Sequence, residues 1–175
     1  MRSVIHRRHS LRRPGDVHLS PEGIELARRV GRSSGPFDRV VTSPKPRAVE
    51  TAVAMGLAVD AEIPELGALP DPVARFLERE PPSTFGEFVR MVAEVVEVRE
   101  CAEGLATLLA HQLTLVPEGG RLLVISHAGL VELGATGVAG ERVARWGPTL
   151  GPLEGVRLDR DGARWGHAEV LRLGT

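Results

Sequence analysis

Short apolar runs alternate with longer stretches of helical periodicity along this chain, and that alternation predicts most of its elements. Ser3 to Arg7, centred on Val4-Ile5, reads as a strand that opens into a Pro/Gly-containing loop running through His18. Ser20 suits a helix N-cap, Pro21 the first helical position and Glu22 the positive helix end. The predicted helix runs to about Val30 and stops at Gly31, with Ser33-Ser34-Gly35-Pro36 as loop. Arg39 to Thr42 is a second strand, a second helix spans about Lys45 to Gly56, and Val59 to Ile63 is a third strand. The proline-rich stretch from Pro64 to Pro82 reads as loop with one helical turn near Arg75. From Ser83 a long helical stretch carries Phe85, Phe88, Val92, Val95 and Val96 at close to helical spacing. It reads as one helix or as two with a break near Gly104, and Pro117-Glu118-Gly119-Gly120 ends it.

Arg121 to Ser126 carries a Leu-Leu-Val-Ile core, the composition of a strand buried on both faces. A helix is expected from about Gly129. Val156-Arg157-Leu158 and Trp165 to Leu173 flank Asp159-Arg160-Asp161-Gly162 as a hairpin. Strands alternating with helices predict an α/β fold, a mainly parallel central sheet covered on both faces.

The 175 residues are expected to form one domain, 1–175, large enough to bury a core. A formal net charge of −1 gives no reason to expect nucleic acid or an anionic membrane as partner. Cys101 alone cannot form an intrachain disulfide and suits a reducing compartment. No apolar run is long enough to span a bilayer, and the charged N-terminus is not followed by a leader-like apolar stretch. A cytoplasmic location is therefore expected. Of the 22 lysines and arginines only Lys45 is lysine, so position must single out any functional arginine.

Three segments carry the chemistry. Arg8-His9-Ser10-Leu11-Arg12-Arg13-Pro14 follows the first strand, and Thr42-Ser43-Pro44-Lys45-Pro46-Arg47-Ala48-Val49-Glu50-Thr51-Ala52 follows the second. The third is Val124-Ile125-Ser126-His127-Ala128-Gly129. His9, Arg47 and His127 each fall at or just past the C-terminal end of a strand, where open α/β sheets bind ligands. His9 is the candidate nucleophile: a neutral imidazole can attack phosphorus when its other nitrogen holds the proton. Arg8, Arg12 and Arg47 are the candidate phosphate ligands, because a guanidinium binds two phosphate oxygens and stays charged. Arg47 also lies in a helix first turn, where backbone N–H groups favour an anion. His127 is placed to donate to the phosphoryl group from the opposite side.

Together the three segments resemble the histidine phosphatase (phosphoglycerate mutase-like) superfamily, and the resemblance spans the chain to His127 and beyond. It implies a three-layer α/β/α arrangement and a phosphohistidine at His9, with Arg8 and Arg47 clamping the phosphate and His127 completing the pocket. Arg12 is similar in position to a second phosphate-binding arginine in the acid-phosphatase branch. Ser10 stands where the family usually has glycine, and His127-Ala128 stands where that branch has His-Asp. In the smaller branch a glutamate after the third strand donates the leaving-group proton. Glu65 falls in that region, with Glu62, Asp71 and Asp16 as rivals. Residues 64–115 are expected to form a lid and helical region over the site, where Phe76, Phe85 and Phe88 either favour less polar esters or fill core.

The expected function is a phosphatase acting on a small phosphomonoester or a phosphorylated protein side chain, with no metal and no cofactor. Phosphoglycerate mutase-like phosphoryl transfer is one alternative. A non-catalytic phosphate-binding module, suggested by Ser10 and the unassigned acid, is another. His6, His18, His111 and His167 have no comparable context and are expected to be structural or exposed. Cys101, Trp146 and Trp165 are expected to pack.

Overall fold

The computed structural model describes residues 1–174. Six strands form one mixed sheet: β1 (Arg2–Arg8), β2 (Arg39–Thr42), β3 (Ala61–Glu62), β4 (Arg121–Ser126), β5 (Gly155–Asp161) and β6 (Arg164–Leu171). Their order is β3-β2-β4-β1-β5-β6. The first four run parallel, and β5 pairs antiparallel with both β1 and β6. The helices are α1 (Pro21–Ser34), α2 (Pro46–Ala54), α3 (Asp71–Arg79), α4 (Phe85–Glu94), α5 (Val96–Thr114) and α6 (Leu130–Ala139).

Strand side chains point alternately to the two faces, and the core divides accordingly. Val4, Val41, Leu122 and Val124 pack on one side with side chains of α3 to α6. Ile5, Val40, Leu123 and Ile125 pack on the other with α1 and α2. A central sheet between two helical layers results, as the alternating pattern predicted. In α5, Val98, Ala102, Leu105, Leu109 and Leu113 are buried at spacings of three and four, one stripe of a helix. Nearly all of α6 is buried, which explains its polar-poor sequence.

Several boundaries differ from the sequence expectation. Helix α1 is capped by Ser20, whose Oγ accepts from the Gly23 N–H at 3.1 Å, but it continues through Gly31 to Ser34. Gly31 does not break it because the missing side chain lets α1 lie against Met55 of the neighbouring segment. The region after Pro64 is more regular than its proline content suggested. It holds a 3-10 turn, Pro64–Leu66, and the nine-residue α3, whose Val73, Phe76 and Leu77 share one inward face. The long helical stretch does divide in two, but at Val95 and not at Gly104. The β-branched Val95 has an extended backbone (φ −116, ψ 116), whereas Gly104 lies within α5. Phe85 and Phe88 are buried core residues, with Phe85 edge-on to Trp146. Among the described residues no helix is long and apolar enough to cross a membrane.

One glycine fixes how α1 meets the loop after β1. A Cβ on Gly23 would lie 2.0 Å from the Leu11 carbonyl oxygen, so helix and loop can approach only without a side chain there. Gly104 has nothing within 4 Å of its would-be Cβ. Gly23→Ala is therefore expected to lower stability by about 1–3 kcal/mol. Gly104→Ala is expected to raise it by up to about 1 kcal/mol, through the better helix propensity of alanine. Urea unfolding of both variants beside wild type measures the contrast.

Candidate active site

Strand register assembles the site. Arg8 is the partner of Ser126 across β1 and β4, and Thr42 is the partner of Ile125 across β2 and β4. Each ladder extends one step further, with the His9 N–H on the Ser126 carbonyl and the Ser43 N–H on the Ile125 carbonyl, both at 2.9 Å. His9, Ser43 and His127 thus leave the sheet side by side at one edge. The two imidazoles meet edge to face, with centroids 5.1 Å apart.

Hydrogen bonds fix the proton on His9. Its Nδ1 lies 2.7 Å from the Ser10 carbonyl oxygen, which can only accept, so Nδ1 carries the hydrogen. Its Nε2 accepts the Arg47 Nε–H at 3.1 Å and is therefore the unprotonated nitrogen that bears the lone pair. Arg47 stands in the first turn of α2, after Pro46 at the helix start. His127 Nε2 pairs with Ser43 Oγ at 2.8 Å, and its Nδ1 is enclosed with no partner among the described residues.

The bracing of this loop explains Ser10. Its Oγ–H donates to the Gly23 carbonyl at 2.7 Å, and its N–H donates to Thr51 Oγ1 at 3.0 Å. Thr51 in turn donates to the Arg47 carbonyl. The hydroxyl thus ties the His9 loop to α1, while the backbone ties it to α2. Arg8 is held from the other side, its Nη1 on the Leu150 carbonyl at 2.7 Å. The Leu150 N–H bonds one oxygen of buried Glu132, and the Gly129 N–H bonds the other, at 2.9 and 2.8 Å. Leu153 donates to the Arg8 carbonyl from a left-handed backbone (φ 60), a conformation that costs a non-glycine residue about 1–2 kcal/mol.

The open side of His9 is a cleft of about 510 Å³ lined by Arg8, Arg12, Arg47 and His127, with Ser10 and Pro152 among its neighbours. None of the residues lining it is Asp or Glu. The structure brings together Arg8, His9, Arg12, Arg47 and His127. Exposed Arg12 spends part of its fork on the Asp16 carbonyl of its own loop, at 3.0 Å. Glu65 is not brought there. Leu66 turns into the core, and Glu65 stays on the surface, lining a different groove between α3 and α5 that includes Glu97 and Cys101. Glu62, Asp71 and Asp16 are likewise exposed and do not line the cleft. The sequence reading assigned no role to Ser43, Thr51 or Glu132. Ser43 and Thr51 sat inside the quoted segments, and Glu132 three residues after Gly129 is spaced to cap a helix.

Burial and clustered cations set the charge state. His9 and His127 are only 7% and 9% exposed. Desolvation depresses the His9 pKa to about 4; the Ser10 hydrogen bond opposes this, while Arg47, Arg8 and Arg12 add to it. Desolvation, then Arg47, His9, Lys45 and Arg8 bring His127 to about 3. Fully buried His6, bonded to Ser126 Oγ, is brought to about 3 by burial alone. The site therefore holds neutral imidazoles among guanidinium groups that form no ion pair with a carboxylate among the described residues, an arrangement that attracts an anion.

The model of the histidine phosphatase superfamily (branch 1) matches residues 4–169. No curated protein sequence matches the chain. Among solved structures, phosphoserine phosphatase from Entamoeba histolytica is similar at 19% identity, with 91% of each chain covered and a TM-score of 0.67. A mycobacterial glucosyl-3-phosphoglycerate phosphatase is similar at 20% identity, covering 97% of this chain and 98% of its own, with a TM-score of 0.67. Phosphoglycerate mutase from Bacillus anthracis is similar at 13% identity, covering 97% and 92%, with a TM-score of 0.66. These likenesses show the fold.

The depressed histidines carry a pH signature. Unfolded, each would take up its proton near 6.5, while folded it stays neutral down to about 3 or 4. The unfolded state therefore binds more protons in that window, and stability falls as pH drops below 6.5. The urea midpoint is expected to decline from pH 7 to 4.5, and to decline less steeply in His127→Gln, which removes one titrating group.

Proposed function

The chain belongs to branch 1 of the histidine phosphatase superfamily, and on that footing we propose that it hydrolyses phosphomonoesters through a phosphohistidine on His9, without a metal ion. The observation that carries this reading is the His9 tautomer. Nδ1–H is fixed on the Ser10 carbonyl, so the Nε2 lone pair faces an arginine-lined cleft. The nucleophile needs no base to become active, because its pKa of about 4 leaves it neutral at ordinary pH.

Arg8, Arg12 and Arg47 take the non-bridging oxygens of the entering phosphate. Arg47 exchanges its contact with Nε2 for a phosphoryl oxygen, which frees the lone pair for attack. The Nε2–P bond forms as the P–O bond to the leaving group breaks, and the leaving oxygen takes a proton from solvent. Water then attacks phosphorus, Nε2 recovers its electron pair, and orthophosphate departs. His127, on the facing side, holds the phosphoryl group against His9. The relatives named as phosphatases of phosphoserine and of glucosyl-3-phosphoglycerate are consistent with this class of reaction.

A non-catalytic phosphate-binding role had rested partly on Ser10. Its hydroxyl donates to the Gly23 carbonyl and the His9 Nδ1–H stays on the Ser10 carbonyl, so Ser10 does not argue against a nucleophilic His9. The other motive, the unassigned acid, stands, since no Asp or Glu lines the cleft. p-Nitrophenyl phosphate hydrolysis with EDTA present tests the proposal. EDTA-resistant turnover is expected in wild type, with a loss on the order of a thousandfold or more in His9→Ala. Glu65→Gln is expected to keep wild-type turnover, since Glu65 faces the other groove. Activity that survives in His9→Ala would contradict the assignment of the nucleophile.

A further inference from the structure

A second cavity of about 320 Å³ adjoins the His9 cleft, and the two have Arg8 and Ala128 in common. It lies on the side opposite α1, under α3. Leu69, Leu77 and Phe88 form its apolar wall, and Leu150 lies beside Arg8. Gly129 keeps it open: at φ 83, a Cβ there would approach Leu69 Cδ1 to 3.2 Å and Leu77 Cδ1 to 3.7 Å.

The polar groups of this annex are few: Arg8, Glu78, Glu132 and Thr149, against an otherwise apolar lining. Both Glu132 oxygens are occupied by backbone N–H groups, and Arg8 Nη1 is on the Leu150 carbonyl. The remaining carboxylate is Glu78, exposed on α3. A polyol would find the Thr149 hydroxyl and the Arg8 fork there but few further partners for its hydroxyls, and a carboxylate would face Glu78. An apolar body loses nothing by entering. Benzene fits a cavity of about 150 Å³, so the annex has room for one or two rings.

We propose that the annex is the leaving-group pocket and selects phosphomonoesters of compact apolar alcohols, aryl-bearing or branched, over those of carboxylate-bearing or polyhydroxy alcohols. This deepens the phosphatase reading and rests on it. Phosphate held by Arg8 in the cleft places its ester oxygen beside the wall common to both cavities, and the alcohol continues into the annex.

Calorimetric binding of three non-hydrolysable phosphonates separates the two readings, because it does not depend on turnover. Wild type is expected to bind 3-phenylpropylphosphonate on the order of tenfold or more tightly than propylphosphonate. It is expected to bind 3-phosphonopropionate more weakly than propylphosphonate. Ala74→Trp, which fills the annex from α3, is expected to abolish the phenyl advantage and leave the affinity for inorganic phosphate unchanged. Leu77→Gln, a milder change, is expected to reduce the advantage if the tryptophan variant does not fold. Equal affinities in wild type, or a phenyl advantage that survives in the folded variants, would overturn the annex while leaving the anion site standing. Failure of folded wild type to bind any of the three would overturn the anion site, and the annex with it.

Discussion

The alignment of three strand ends is the constraint on which this site depends. β4 is buried on both faces and paired on both edges, by β1 and β2, so its register can slip on neither side without exposing Leu122 to Ile125 or breaking two ladders. That register delivers His9 beside His127 and sets Ser43 against His127. The loops after β2 and β4 are short, and the longer one after β1 is braced by hydrogen bonds from Ser10 to α1 and α2, while Arg8 is tied to Leu150. Geometry at His9 Nε2 is thereby inherited from the most rigid part of the sheet, and the loops hold what the strands position.

Electrostatics follows from that placement. Two imidazoles at the end of a buried sheet lose water, and the adjacent arginines penalise their protonated forms, so both are neutral at ordinary pH. The same arginines lack a carboxylate partner along the cleft, which leaves their charge available to a phosphate. Ser10 shows how a departure from the usual glycine is accommodated: its hydroxyl donates to Gly23, whose own lack of a side chain makes the close approach possible.

How far the sequence carried the account depended on the kind of signal. β2 and β4 are marked by unbroken apolar runs and were legible to the residue, and His9, Arg47 and His127 followed from their places at strand ends. The α4–α5 break was misplaced because a glycine is a conspicuous helix breaker, whereas the extended backbone at Val95 reflects packing that no local pattern reveals. α3 was hidden by its prolines, one of which lies in its first turn, where proline is tolerated. Glu65 illustrates the limit most clearly. Its distance along the chain suited the role of an acid, but burial of Leu66 turns it toward another groove, and only tertiary structure decides which way a two-residue strand exits. Of the annex the sequence offered only the region, residues 64–115 with Phe88 among them; its shape was beyond reach, since it is assembled from α3, α4, α6 and the segment before β5.

The central claim is that His9 Nε2 becomes covalently bonded to phosphorus. Trapping the enzyme during turnover by an alkaline quench, which spares phosphohistidine, and mapping the modification by tandem mass spectrometry tests it directly. One phosphoryl group on His9, absent from His9→Ala, is the predicted result. A phosphoryl group on His127 or on any other residue, or turnover with no trapped intermediate at any time point, would contradict it.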